Sequence, residues 1–534
     1  VTRWGEAKDA RVGGYFKNDY NFERQIVTKI NTKDRTLTMN LDGSISGANR
    51  RYFVYNLLEE IDMPGEWYID RKSMLLYYYP PYGLDAASAE LEMTELQDYM
   101  FKLSGASNIT FSGLTFTQSG SGAIVGYHEP KSVIRNITVD KCTFTDLGNT
   151  ALNFYTYNFG KIFDFAQWMN IEGNLYNMKI TNNILYNIYG SGIVLQSGST
   201  DKIEAHGVEV SNNYASRTAP LADDPYILLG TVDAVEGIVD HNLCHNTGFH
   251  VLTLNRIRSK ARYNEIVATV RESVDAGAFY VGRTIMNRDN EYSYNFFYET
   301  NPVNPRVYLH RHNRAIYFDD GYAGGILKNN ISIDGDKSFY TSGSGSKYYD
   351  NITVDHDSGM QLGVWAGVDR YEKFLSPESK ADPLVQNFLK TFPEIEKEAE
   401  VIRKYDLQVT ALNEVVGNLL VNSPAPDKGL SAKMLEANTI KDNIVTDKKD
   451  CFVDPDNLDY RVKKDSEVYK ENPNLWSEDF DLSLIGIQWQ EGFDKERILK
   501  RRNFRKLYPE NGQTNVKTYQ TEFMWENSFD ADEY

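Results

Sequence analysis

The sequence has few cysteines and no long hydrophobic run. Only Cys142, Cys244 and Cys451 occur in 534 residues, widely spaced and odd in number. They predict neither a disulfide framework nor a metal site, so we expect small buried core residues there and predict no cofactor or metal. No stretch approaches the roughly 20 apolar residues of a membrane helix, which argues against a membrane protein.

Basic residues are also in deficit. The 57 Lys and Arg residues are outnumbered by 75 Asp and Glu residues, giving a net charge of −18. Such a surface repels phosphate backbones, which excludes nucleic acid as a partner and weakly disfavours polyanionic glycans unless a local basic groove intervenes. Aromatic residues, in contrast, are plentiful, with 36 Tyr. Because exposed aromatic rings stack on sugars, we expect a carbohydrate partner.

A recurring motif dominates the chain, in which Asn precedes a short β-branched or aromatic run. It occurs at Asn108, Asn136, Asn183, Asn213, Asn242, Asn264, Asn295, Asn330 and Asn351, with weaker copies at Asn418 and Asn443. From Asn183 to Asn351 the gaps are 30, 29, 22, 31, 35 and 21 residues, a spacing typical of solenoids. Apolar residues alternate at period two, without helical periodicity between residues 100 and 356. The sequence therefore predicts an all-β, right-handed parallel β-helix.

Two properties of Asn explain the repeat. Asn tolerates the left-handed backbone that sharp turns need, and stacked Asn amides can hydrogen-bond from coil to coil. Asn108, Asn136 and Asn351 also match the N-glycosylation pattern. We treat these matches as accidental, because ladder residues are expected to be inaccessible.

Changes in pattern along the chain predict its organisation. The segments are an N-terminal β-rich region (1–100), β-helix coils (101–356), a helical insertion (357–412), last coils (413–450) and an irregular C-terminal tail packing on the β-helix (451–534). A turn at Asp70–Ser73 predicts two strands within residues 64–81. Pro and Ser helix starts with helical spacing mark the insertion.

Two adjacent coils hold the densest set of ionisable groups. They carry Glu272, Asp275, Arg283, His310, His312, Arg314, Asp319 and Asp320. Glycoside hydrolysis generally needs two carboxyl groups, one to donate a proton and one to attack or activate water. Asp275 is a candidate for one role, and Asp319 or Asp320 for the other.

Aligning residues 277–283 with 314–320 sharpens that choice. The alignment turns the apolar side chains inward and Tyr280, Tyr317 and Asp319 outward. Asp320 then lies opposite Arg283, where an ion pair is expected. Asp319 is therefore the favoured free carboxylate, although both stay candidates. Asp275 lies too far upstream along a straight strand, at roughly 3.3 Å per residue, so a turn or bulge is needed.

Further side chains in and near these coils are candidate substrate contacts. They are Glu272, Tyr280, Arg283, His250, His312 and Tyr317. Tyr rings supply stacking surfaces, and the charged groups can hydrogen-bond sugar hydroxyls.

Four segments resemble a known group of proteins. Residues 51–81, 275–283, 315–321 and 479–489 resemble bacterial glycosidases of the right-handed β-helix class, and are most similar to glycoside hydrolase family 141. Known members of that family act on fucosides or xylans. The resemblance implies a glycosidase with catalytic aspartates at Asp275 and within Asp319–Asp320. Residues 302–313 and 366–405 depart from the group, so its substrates do not transfer directly.

Two alternatives stay open. A polysaccharide lyase or epimerase acting on uronates would use a base and cations, for which His310, Arg311, His312 and Arg314 are available. A non-catalytic glycan-binding solenoid would bind sugar without turnover. The chain begins at Val1 without a signal peptide, and we expect a secreted or periplasmic protein whose leader has been removed. The oligomeric state is not predicted.

Overall fold

The protein is divided into two compact units. The computed structural model describes residues 3–5, 9–40, 45, 50–80, 84–85, 87–128, 133–156, 175–196, 203–218, 227–300, 312–363, 368–406, 410–488, 506–508 and 524–525. One unit comprises Val1–Met93 and Trp489–Tyr534, and the other Thr94–Gln488.

The larger unit is a parallel β-helix, in which each coil contributes strands to three parallel stacks. The first stack contains Phe101–Ser104, Ile124–His128, Leu152–Thr156, Ile193–Gln196, Gly230–Asp233, Leu252–Asn255, Gly277–Gly282 and Arg314–Asp319. The second contains Ser107–Ser112, Ile134–Asp140, Leu175–Thr181, Glu209–Ser211, Ile238–Asp240, Lys260–Arg262, Glu291–Ser293, Ile326–Lys328, Lys347–Tyr349, Glu414–Val416 and Thr439–Lys441. The third contains Thr115–Ser119, Thr143–Leu147, Ile184–Ile188, Tyr214–Thr218, Leu243–His245, Glu265–Thr269, Phe296–Thr300, Leu419–Val421 and Ile444–Thr446. These stacks confirm the predicted all-β solenoid.

Two long strands join the third stack to the first. Ile331–Thr341 and Ile352–Leu362 pair with third-stack strands through their first halves and continue the first stack through their second halves. The second of these strands runs past residue 357, where the sequence places the start of the helical insertion. The described helices of that region begin only at Val368.

The core lies inside the coils, where apolar side chains repeat in columns. In the third stack, Phe116 and Phe144 stack with ring centroids 5.0 Å apart. Cys142, Cys244 and Cys451 are buried free thiols, as the sequence predicts. Stacked inward-facing residues supply the hydrophobic burial that a solenoid coil cannot obtain alone.

The repeated Asn residues form a buried ladder at the turn before the third stack. From Asn183 to Asn443, each side-chain Nδ2 donates to the Oδ1 of the next Asn at 2.8–3.0 Å. Each Oδ1 also accepts a backbone N–H, so the ladder satisfies buried polar groups. The expected amide ladder is confirmed.

The expected left-handed conformation falls on a different residue. The residue before each ladder Asn has positive φ, as at His241, Tyr263 and Tyr294. Asn108 and Asn136 are exceptions, since they have positive φ themselves and belong to a separate ladder. At each turn, therefore, the residue before the ladder Asn has the left-handed backbone, and the Asn itself bonds to the next coil.

The expected inaccessibility of the three glycosylation-pattern residues holds only in part. Asn351 is fully buried, but Asn108 and Asn136 are exposed. The prediction is wrong for those two, because their ladder runs along the outside of the second stack rather than inside a turn.

Helices pack on the corner between the first and second stacks. Their bounds are Val368–Phe374, Pro377–Lys380, Pro383–Thr391, Glu394–Tyr405 and Ala432–Ala437. A further helix, Glu467–Glu471, belongs instead to the C-terminal segment, where it packs on the cluster that includes Leu419 and Trp476. Helix Glu394–Tyr405 carries the fully buried Glu398, which forms a bidentate ion pair with Arg288 of a turn. A buried pair of this kind fixes the position of the helix at a desolvation cost. No helix among the described residues is long and apolar enough to cross a membrane.

The segment after residue 450 lies along the turns of the β-helix. It contains strands Phe452–Asp454 and Asp459–Val462. Trp476 Nε1 donates to the Asn329 carbonyl at 2.7 Å, and Gly486 N donates to the Tyr263 carbonyl at 2.7 Å. These contacts anchor residues up to Gln488 on the turn ladder.

The smaller unit contains two antiparallel β structures in its N-terminal part. One has strands Arg11–Gly14, Glu23–Asn31, Thr36–Met39 and Tyr52–Tyr55. The other is a hairpin of Trp67–Asp70 and Leu75–Tyr78, which confirms the predicted turn at Asp70–Ser73. A further pair, Lys506–Tyr508 and Met524–Trp525, comes from the C-terminal part.

Candidate active site

The two coils singled out by the sequence are neighbours in the first stack. Strands Gly277–Gly282 and Arg314–Asp319 run parallel, pairing Tyr280 with Tyr317 and Gly282 with Asp319. The intervening Phe279 and Val281, with their partners, are buried in the core. Strand alternation therefore places Tyr280, Tyr317 and Asp319 on the same outer face, as the alignment predicts.

Asp319 is a half-buried carboxyl group on this face. Its Oδ2 accepts a hydrogen bond from Tyr280 Oη at 3.3 Å, and its Oδ1 accepts one from the Asp320 backbone N–H at 2.8 Å. Burial, followed by the neighbouring charge of Asp320, raises the pKa of Asp319 above its usual value. A carboxyl group in such surroundings is suited to holding a proton.

Asp275 differs from Asp319 in having a cation beside it. Its Oδ1 accepts a 2.7 Å bond from Arg314 Nη1. The Arg314 side chain is 5% exposed whereas that of Asp275 is 46% exposed, so this carboxylate faces outward above a buried positive charge. The Arg314 guanidinium also lies over the ring of Tyr317, 3.9 Å from its centroid.

Tyr317 connects the two carboxyl groups. Its hydroxyl donates to Asp275 Oδ1 at 3.0 Å, and the same side chain also favours the charged form of Asp319, partly offsetting the rise in the pKa of that group. The backbone at Asp275 has positive φ, which supplies the turn that the sequence analysis required. The long Tyr317 side chain then reaches from its own position on the neighbouring strand to the Asp275 carboxylate. Burial holds the pKa of Tyr317 far above its usual value, so its hydroxyl stays protonated.

Asp320 occupies the turn after the strand. It has positive φ, and its Oδ2 accepts a 3.0 Å hydrogen bond from Arg283 Nε. The expected Arg283–Asp320 ion pair is therefore present. Asp320 is therefore the member of the adjacent pair that is held by a cation at the turn.

His250 lies behind Tyr280 rather than at the surface. The two rings stack with centroids 4.4 Å apart, and His250 Nδ1 is 2.8 Å from the Gly277 carbonyl oxygen. Burial lowers the pKa of His250 to about 4, which keeps the imidazole neutral near pH 7. In this position it supports Tyr280 and the strand bearing it.

The remaining predicted contacts lie at the margin of the cluster. Glu272 is in the turn before Asp275, where its backbone N–H donates to the Gly248 carbonyl at 3.1 Å. His312 is exposed, and its carbonyl accepts a bond from Arg314 Nη1. His310 and Arg311 lie outside the described residues.

Two residues of the next coil were not among the predicted site residues. Tyr340 is paired in register with Tyr317, and Lys337 with Arg314. The rings of Tyr317 and Tyr340 meet edge to face with centroids 5.3 Å apart. A signal was available in the sequence, because RAIYFD at 314–319 aligns with KSFYTS at 337–342, cation for cation and Tyr for Tyr.

Comparisons with known proteins agree with the architecture. Residues 86–224 match the family model described as a right-handed β-helix region. By fold, the chain is a right-handed parallel β-helix protein of the all-β class. Among curated proteins, no match is found.

One solved structure named "Glycoside hydrolase" is similar over 70% of this chain and 72% of that chain, at 14% identity. Its TM-score is 0.41, a level at which the likeness carries no argument about function. Membership of glycoside hydrolase family 141 stays a prediction.

Proposed function

We propose that the protein is a glycoside hydrolase whose reacting groups are Asp275 and Asp319. The observation that carries the proposal is the contrast between two carboxyl groups linked by one Tyr317 hydroxyl. One is desolvated beside another acid, and the other is paired with a buried arginine. Pairs of carboxyl groups held in different environments are what proton donation and nucleophilic or basic assistance require.

In the proposed reaction, Asp319 donates its proton to the glycosidic oxygen as the bond to the leaving sugar breaks. Its raised pKa keeps a larger fraction protonated than an ordinary aspartate would have. Asp275 acts from the other side, either attacking the anomeric carbon or removing a proton from the attacking water. The Arg314 cation stabilises the negative charge of Asp275 before that step.

Tyr317 positions both groups and is not itself the nucleophile. A tyrosinate would have to form beside two carboxyl groups, and burial already opposes its ionisation. Tyr280 and Tyr340 flank it on the neighbouring strands, and their half-buried rings offer surface on which a sugar can stack.

The lyase alternative has less support. The sequence based it on His310, Arg311, His312 and Arg314, and of these Arg314 is already held by Asp275 and the His312 carbonyl. For substrates, the resemblance to family 141 suggests fucosides and xylans as the first compounds to test. Action on such plant or host glycans is consistent with the proposed secreted or periplasmic location.

The test is a sugar-release assay on aryl fucosides, aryl xylosides and plant and mucin glycans. Wild type is compared with Asp275→Asn and Asp319→Asn, since Asn keeps the shape and tolerates positive φ at residue 275. The exposed turn residue Asp289, also of positive φ, supplies the matched control Asp289→Asn. We expect release by wild type and the control, and a fall of about 10³-fold in each site variant.

Release that survives both site substitutions would contradict the proposal. Unsaturated products absorbing in the ultraviolet would instead establish the lyase. Glycan binding without turnover in any variant would establish the binding solenoid.

A further inference from the structure

Lys337 is a half-buried cation at the edge of the candidate active site. It lies on strand Ile331–Thr341, in register with Arg314 of the preceding strand. Its Nζ is 5.7 Å from the ring centroid of Tyr340, a ring that the Arg314 guanidinium approaches at 4.9 Å. Strand alternation gives residue 337 the parity of the buried Phe339, but the Lys337 ammonium group reaches the Tyr340 ring on the outer face, one strand further toward the C-terminal end of the stack.

The ammonium group of Lys337 has neither an ion pair nor a hydrogen bond within the part of the chain that the structure describes. The charges that influence it are Arg314, which opposes its protonation, and Asp336 and Asp275, which favour it. Arg314, one strand away, is already paired with Asp275. A cation partly removed from water without a counter-ion carries a desolvation cost that a bound anion would offset.

We propose that Lys337 binds one anionic substituent of the substrate, a carboxylate or a sulfate, beside the bond that is cleaved. This inference rests on the proposed function, because it gives the substrate of the same site a chemical class. An acidic sugar would place its anion on Lys337 while its ring contacts Tyr340. The neighbouring Asp275 is held by Arg314, which lessens its repulsion of such an anion.

The charge of the whole chain limits the number of acidic sugars. A net charge of −18 disfavours a chain of consecutive anionic units. Among the site residues described above, Arg283 and Arg314 already have carboxylate partners. The substrate we infer is thus a largely neutral glycan with a single acidic unit at this position.

Binding is the measurement that isolates this inference. In the Asp319→Asn background, affinities are measured by calorimetry for plant and animal oligosaccharides that contain a uronic acid or a sulfated sugar. Each is compared with its carboxyl-reduced or desulfated form. We expect at least one acidic oligosaccharide to bind about tenfold or more tightly than its neutral form, as one charge-assisted hydrogen bond supplies. Loss of the preference after carboxyl reduction identifies a carboxylate, and loss after desulfation identifies a sulfate.

Three substitutions in the same background complete the test. Lys337→Met should abolish the preference for the acidic form, while Lys337→Arg should keep it. Lys328→Met, at an exposed lysine of the second stack, is the matched control and should also keep it. Equal affinity for acidic and neutral forms, a preference that survives Lys337→Met, or no binding of any acidic member would overturn the inference. The release assay on wild type judges hydrolysis separately, so failure of one proposal is distinguishable from failure of the other.

Discussion

Two polar regions of the same β-helix follow opposite rules. The Asn ladder, from Asn183 to Asn443, repeats one side chain in each coil, and every member bonds to the next. The outer face of strands Gly277–Gly282 and Arg314–Asp319 repeats a Tyr, but its carboxyl group does not repeat, since Asp319 is paired with Gly282. In the ladder the polar groups satisfy one another, whereas the Asp319 carboxyl group is left in surroundings that oppose its charge.

The difference separates what builds the solenoid from what we propose acts on substrate. A repeated bond is worth the same in every coil, so repetition supports the fold. A desolvated acid is unfavourable for the fold and is tolerated where chemistry benefits. Substitutions in the two regions should therefore affect different measurements.

The largest effect on stability is expected from breaking the buried ladder with Asn295→Ala. Asn295 accepts bonds from the backbone and side chain of Asn264 and donates to the Ala261 carbonyl. Because these buried groups lose their partner together, we expect the free energy of unfolding to fall by about 3 kcal/mol. Urea titration followed by circular dichroism measures the change.

The exposed ladder supplies the matched control, Asn136→Gly. Asn136 has positive φ, which Gly accepts, and it bonds Asn108 and Asn177 in the same amide-to-amide pattern. Water can replace these bonds, so we expect a loss of about 1 kcal/mol or less. Equal losses at Asn295 and Asn136 would show that burial does not distinguish the two ladders.

The next effect concerns the link between the carboxyl groups. Tyr317→Phe removes the hydroxyl shared by Asp275 and Asp319, and we expect kcat to fall about 10- to 100-fold with a smaller change in KM. Since the hydroxyl favours the charged form of Asp319, its loss should raise the pKa of Asp319 further and move the alkaline limb of kcat/KM to higher pH. Tyr298→Phe, on the third stack, should change neither. A fall in rate without movement of the limb would mean that Tyr317 acts only in packing.

A smaller effect distinguishes Asp320 from Asp319. The charge of Asp320 raises the pKa of Asp319, so Asp320→Asn should move the alkaline limb to lower pH, and Arg283→Gln should move it to higher pH. Shifts of a few tenths of a pH unit, roughly, are expected across a partly solvated pair. A pH–rate profile of each variant measures them. A fall in rate of about 10³-fold in Asp320→Asn would instead mean that Asp320, and not Asp319, is the proton donor.

The repeated region could be predicted from sequence because pattern and structure share one period. Alternation alone placed Tyr280 and Tyr317 on the outer face and paired Arg283 with Asp320, and both predictions are confirmed. The amide ladder followed from the spacing of Asn. The residue carrying positive φ did not, because backbone torsion is set by the neighbour that precedes each ladder Asn.

The irregular region was harder to predict. Contact between Asp275 and Tyr317 depends on a left-handed turn and on the reach of a long side chain, neither of which a strand alignment measures. Lys337 and Tyr340 were missed because the alignment covered only residues 277–283 and 314–320, whereas Ile331–Thr341 serves two stacks as one strand that bends at Asp334. Positions where the repeat is broken are difficult to predict from a repeating pattern. The same positions can carry charged groups that a repeated coil would not.

The smallest expected effect is on the thermal stability of Asp319→Asn, which we expect not to be lower than that of wild type. The pKa of Asp319 is raised in the folded protein, so ionising it costs stability as pH rises from the ordinary Asp value through the raised one. Asp319→Asn removes that charge and retains an oxygen to accept the Asp320 N–H bond. We therefore expect its thermal midpoint near pH 7 to equal or exceed that of wild type, with the difference vanishing at pH values below the ordinary Asp pKa, where both side chains are neutral. Differential scanning calorimetry at the two pH values measures this. A lower midpoint at neutral pH would mean that the Asp319 charge stabilises the fold, as the Asn ladder does. That result would contradict the proposed difference between the two regions.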